Sequence, residues 1–177
     1  MSIKKIRNYQ IFSTFFVLIL GTILHFTYKW SGENQIISFF SSVNESTWEH
    51  LKLIYFPMLL TIIIGYFFFG KSQNNFLCSK TIGVLVSLAF TVIFFYTYTG
   101  ILGKNIAIID ICSFIMAVLL GEFLSYLLII NNFKCNNKIA MFILIIFLAL
   151  FIIFTNNPPK IGLFKDPITG KYGKISS

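Results

Sequence analysis

Five apolar runs, at about residues 11–28, 53–69, 81–98, 106–130 and 139–154, constrain this chain more than any motif in it. A helix needs roughly 20 apolar residues to cross the hydrocarbon core of a bilayer, and several of the runs approach or exceed that length. Hydrophobic residues make up 56% of the chain and charged ones 11%, with a mean hydropathy of +0.82, far from the balance of a soluble domain. The predicted fold is therefore all-α: one polytopic membrane domain of five transmembrane helices. A short interfacial helix at 36–40 precedes the second span, and a turn-rich tail follows at 155–177.

Charge is scarce, so its placement matters. The net charge is +8, but the basic residues fall in the loops between apolar runs, where they orient spans and meet anionic head groups. Membrane lipids are the expected partners. Nucleic acid is not, because no basic face with interleaved aromatics lies outside the bilayer. The N-terminal side carries Lys4, Lys5, Arg7, Lys71, Lys80, Lys134 and Lys138. The other side carries Lys29, Lys52 and Lys104, and the four tail lysines bring it level. Short loops and the first span weigh more, which favours a cytoplasmic N-terminus. Residues 4–20 imitate a signal peptide, but no small-x-small cleavage site follows, so the segment is expected to stay as an anchor. No internal repeat supports an inverted-repeat transporter; a transport role would call for a homo-oligomer.

An odd number of crossings puts His25, residues 45–52, residues 96–100, Asp110 and the tail at one membrane face. Several segments bringing polar groups to one depth make the setting for a pocket. The densest segment is Ser42-Val43-Asn44-Glu45-Ser46-Thr47-Trp48-Glu49-His50-Leu51-Lys52, with two of the six acidic residues and one of the two histidines. It holds two overlapping capping boxes, Ser42-x-x-Glu45 and Ser46-x-x-Glu49, either of which would start the second span.

These residues admit a structural and a chemical reading. Structurally, Glu49 caps the helix and pairs with Lys52, while Glu45 favours the positive helix N-terminus. Chemically, His25, Glu45 and His50 are candidate ligands for zinc or another divalent metal, and an open position there could activate water. Glu49, His50 and Asp110 are the candidate acid–base groups. Tyr96, Tyr98, Glu122 and Asp166 are the candidate substrate-binding groups. An ionisable residue inside a span, as Glu122 is, marks a functional candidate or an interhelical hydrogen bond, and Gly121 beside it would let a neighbouring backbone approach. In the tail, residues 166–173 read either as a turn-rich extension or as a lid anchored by Phe164 and Tyr172. Cys78, Cys112 and Cys135 lack any paired spacing and are expected to be ordinary thiols rather than a disulfide framework.

The block Val43-Asn44-Glu45-Ser46-Thr47-Trp48-Glu49-His50-Leu51-Lys52 and the tail Leu163-Phe164-Lys165-Asp166-Pro167-Ile168-Thr169-Gly170-Lys171-Tyr172-Gly173 are both distinctive. With the spans between them, they resemble a domain-of-unknown-function family of small multi-pass bacterial membrane proteins. That resemblance implies a bacterial plasma membrane and brings no activity to carry over. Two function classes remain. The first is a non-catalytic role in small-ligand or lipid binding, transport or accessory work, which the lack of a catalytic signature favours. The second is a membrane-embedded hydrolase or transferase, with or without a metal, acting on a lipid or cell-envelope substrate.

Overall fold

The computed structural model describes residues 2–70 and 73–174. Five helices follow one another: α1 (Ile3–Trp30), α2 (Thr47–Gly65), α3 (Phe76–Leu102), α4 (Ala107–Ile130) and α5 (Asn137–Asn156). A π-helical turn, Tyr66–Gly70, prolongs α2. Counting that turn with α2, all five are long and apolar enough to cross a membrane. No strand occurs among the described residues; a single antiparallel bridge joins Lys165 to Tyr172. Large apolar side chains such as Phe15, Ile19, Phe67, Phe123 and Phe142 stay exposed on the outside of the bundle, as suits contact with lipid.

Helix ends run past the apolar runs. Lys4, Lys5 and Arg7 lie within α1, which begins at Ile3 rather than near residue 11. The second capping box is the one used: Ser46 Oγ accepts the Glu49 N–H at 3.4 Å and starts α2 at Thr47. The segment before it contains one 3-10 turn, Ile37–Phe39.

Small residues let the helices close up. Gly83 of α3 and Gly121 of α4 face each other so tightly that a Cβ on either would strike the other's carbonyl oxygen. Ser87 Oγ adds a bond across the same seam, donating to the Ala117 carbonyl at 2.8 Å. Gly21 plays this part between α1 and α2. Pro57 has no N–H to offer the Leu53 carbonyl, and that oxygen lies where a Cβ on Gly21 would go.

The cysteines correct the sequence expectation. Cys78, in the first turn of α3, forms a disulfide with Cys135 in the α4–α5 loop, 57 positions away. Spacing in sequence cannot reveal a pair that meets only because α3 packs on α5. Asn137 reinforces the same junction, accepting the Cys78 N–H at 3.1 Å and donating to the Asn74 carbonyl at 2.5 Å. Cys112 remains a free, exposed thiol.

Candidate functional site

Residues 41–46 form a loop that runs into the first turn of α2, and of residues 41–49 all but Glu45 are buried. Buried backbone groups must find partners, and short polar side chains supply them here. Ser41 Oγ accepts the Tyr28 N–H at 3.0 Å and donates to the Leu24 carbonyl, tying the loop to the end of α1. Asn44 Oδ1 accepts the Ser46 N–H at 2.8 Å, and its Nδ2 donates to the Gly173 carbonyl in the tail at 2.8 Å. Glu49 turns inward and accepts the Val43 N–H at 3.0 Å.

Lys52 then spends its three donors on Glu49 Oε2 (2.6 Å), Thr155 Oγ1 (2.7 Å) and the Ser38 carbonyl (3.1 Å). The Glu49–Lys52 pair thus clamps the loop between α2 and α5. Glu49 is placed as the structural reading expected, away from the exposed groups.

The tail covers this loop. Phe164 is buried against Trp48 and Phe154, with ring centroids 4.8 and 5.3 Å away. Asp166 is buried too. Its Oδ1 accepts the N–H groups of Ile168 (2.7 Å) and Thr169 (3.1 Å), and its Oδ2 accepts that of Glu45 (3.4 Å).

What remains open is a trio. One ligand atom each from His25, Glu45 and His50 lies within 4.8 Å of the other two. His50 Nε2 is 3.4 Å from Glu45 Oε2, and each of those side chains is 33% exposed. His50 Nδ1 faces the Ser46 carbonyl at 3.0 Å. A carbonyl only accepts, so Nδ1 carries a proton; Nε2 either carries a second one, donated to Glu45, or turns its lone pair to an ion.

The two imidazole rings lie 5.3 Å apart, and His25 Nδ1 is buried with no hydrogen-bond partner among the described residues. The hydrogen bond to His50 holds the Glu45 carboxyl below the ordinary carboxylate range. Partial burial opposes this, and the charges of His50, His25 and Lys29 assist it. A tetrahedral zinc sets its ligand atoms about 3.4 Å apart, the separation His50 and Glu45 already have.

Asp110 stands beside the trio rather than in it: its charge reaches His50, and Tyr98 Oη donates to its Oδ1. Tyr96 is exposed, its hydroxyl close to Gly162 of the tail. Glu122 sits elsewhere, in the N-terminal half of the bundle. There it pairs with Lys80 at 2.6 Å, accepts from Ser13 at 2.9 Å and receives the amide of Gln10. Lys80 also donates to Ser13 at 3.1 Å and lies 5.5 Å from the centre of the Tyr9 ring.

Gln10, Ser13 and Lys80 were missed from sequence, where Lys80 reads as a loop charge bounding a span. A lysine four residues into α3 and a Gln–Ser pair one turn apart on α1 were the available signals.

Chemically, the Glu122 network is enclosed and carries its own cation, whereas the His25–Glu45–His50 trio is partly exposed and gathers three bases around one point. Compared with known proteins, residues 1–174 match the model of a family of unknown function, DUF6512. No curated protein and no solved structure matches the chain.

Proposed function

The chain belongs to DUF6512, which hands down no activity, and from its own chemistry we propose a metal-binding protein of the bacterial plasma membrane. A divalent transition metal ion, zinc first, is held by His25, Glu45 and His50 at the membrane face that carries the tail. The observation that supports this is the convergence of the three ligand atoms within 4.8 Å, with His50 Nδ1 already committed to a carbonyl. Such a bond on the far ring nitrogen is what fixes a metal-ligating histidine in its tautomer. A proton on His50 would satisfy Glu45 alone. It gives no reason for a second imidazole to stand at ligand distance from both.

Three protein ligands leave a tetrahedral ion one vertex for water, a small ligand or a lipid head group. Binding at that vertex is the primary role. Asp110, steadied by Tyr98 and electrostatically close to His50, favours a second reading. Water on the ion would be acidified, and Asp110 could take its proton in hydrolysis or group transfer on a lipid or cell-envelope substrate.

Metal analysis of the purified protein tests the primary reading. About one zinc per chain is expected after incubation with zinc and removal of the excess, and His50→Ala should abolish it. A folded wild-type protein that takes up no divalent metal would sink the proposal.

A further inference from the structure

We infer that the C-terminal tail is the outer shell of this metal site, with Asp166 and Asn44 as positioning residues for Glu45 and His50; the inference rests on the metal reading above. Two hydrogen-bond routes lead from the tail to the ligands. In the first, Asp166 Oδ2 accepts the Glu45 N–H at 3.4 Å, fixing the backbone from which that carboxylate projects. In the second, the Gly173 carbonyl accepts from Asn44 Nδ2 at 2.8 Å, and Asn44 Oδ1 accepts the Ser46 N–H at 2.8 Å. The Ser46 carbonyl in turn accepts the Nδ1 proton of His50 at 3.0 Å. The tail therefore acts on one ligand through Asp166 and on the other through Asn44 and Ser46.

The tail is built to hold this pose. The Lys165–Tyr172 bridge closes residues 166–171 into a loop, with the Asp166 N–H donating to the Lys171 carbonyl at 2.9 Å. Gly173 has φ +70, in the left-handed region, and a Cβ there would press on Pro158 at 3.2 Å. That backbone turn presents its carbonyl to Asn44. Phe164, wedged beside Trp48, anchors the whole segment. Outer-shell partners orient metal ligands, so an ion that needs Glu45 and His50 in place also favours the docked tail. The coupling is reciprocal: tail docking raises metal affinity by the factor by which the metal raises docking.

Asp166→Asn separates the two jobs of this carboxylate. The amide oxygen still caps Ile168 and Thr169, and those two N–H groups keep it on that side. The amide nitrogen then meets the Glu45 N–H donor to donor, and the tie to the ligand is lost. Competition with a chromophoric zinc chelator should show a 10-fold or greater drop in zinc affinity, the usual scale for an outer-shell loss. The zinc-free protein should still fold, its unfolding midpoint lowered only as far as the loss of one long hydrogen bond lowers it.

Zinc affinity equal to wild type would overturn the inference. Should the variant fail to fold, hydrogen exchange on the wild type decides the matter. Zinc should slow exchange in the segments containing Glu45, Ile168 and Thr169; zinc binding that leaves the tail's exchange unchanged overturns the inference equally. A wild type that binds no zinc is a different failure, the failure of the metal reading itself.

Discussion

The two ends of the bundle treat scarce charge in opposite ways. In the N-terminal half, Glu122 is met by an ammonium, an amide and a hydroxyl, and all of these groups are buried. At the tail end, Glu45 and two imidazoles meet with bases facing bases, each partly exposed. Lysine makes the difference. Lys80 is spent on Glu122, and the buried lysine of the tail end, Lys52, is spent on Glu49 rather than on the trio. Lys29 stands exposed one turn beyond His25. A closed network with its own cation holds helices together, and a trio without a buried one invites a cation from outside.

Removing one partner from the closed end should have the largest effect. Glu122→Gln or Lys80→Met alone strands a buried charge or its partner, at a cost of about 3–5 kcal/mol. A large drop in the thermal unfolding midpoint in detergent is expected from each. The Lys80→Met, Glu122→Gln double variant should recover most of it, because the pair leaves together. Zinc uptake by that double variant should match wild type; its loss would mean that the two ends are not independent.

At the open end the effect is ligand-dependent and smaller. Zinc at about 100 times its Kd should raise wild-type stability by about 2.7 kcal/mol, measured as a shift in thermal unfolding. His25→Ala should lose that shift while the metal-free midpoint stays close to wild type, since His25 Nδ1 has no hydrogen bond to forfeit among the described residues. A His25→Ala protein that zinc still stabilises in full would leave the ion to Glu45 and His50 alone.

How far the sequence reached follows from the same contrast. Long apolar runs make long apolar helices, so the five helices were legible in it, and one of its two capping boxes is the Ser46 cap that is used. Also legible was the gathering of His25, Glu45 and His50, because parity alone sends all three segments to one end. Hydropathy fails where a charge enters the helix packing. Lys80 and Lys52 look like loop residues, yet each is neutralised by a carboxylate on a packed helix. The destination of Glu122 was equally hidden, since Gln10 and Ser13 lie over 100 positions away in sequence. The disulfide escaped for the same reason: its partners share a packing contact and no motif.

The smallest effect concerns which compartment each end faces. With Lys80 and Lys52 internal and paired, each side loses one positive charge from its tally. Six remain on the N-terminal side (Lys4, Lys5, Arg7, Lys71, Lys134, Lys138) against six on the other (Lys29, Lys104, Lys160, Lys165, Lys171, Lys174). The cluster at the start of α1 is then the tiebreak behind the proposed orientation, with the N-terminus in the cytoplasm. Under that orientation Cys78 and Cys135, bonded in the structure, would face cytosolic reductants, which keep thiols apart. Alkylating intact cells before lysis should then find both as free thiols, with the bond closing only on later oxidation. Cys78→Ser should leave zinc binding untouched, because the disulfide and the trio sit at opposite ends. A bond already present in intact cells would place the N-terminal end in an oxidising compartment. The trio would then face the cytoplasm, and its metal would come from the cytosolic pool rather than from outside the cell.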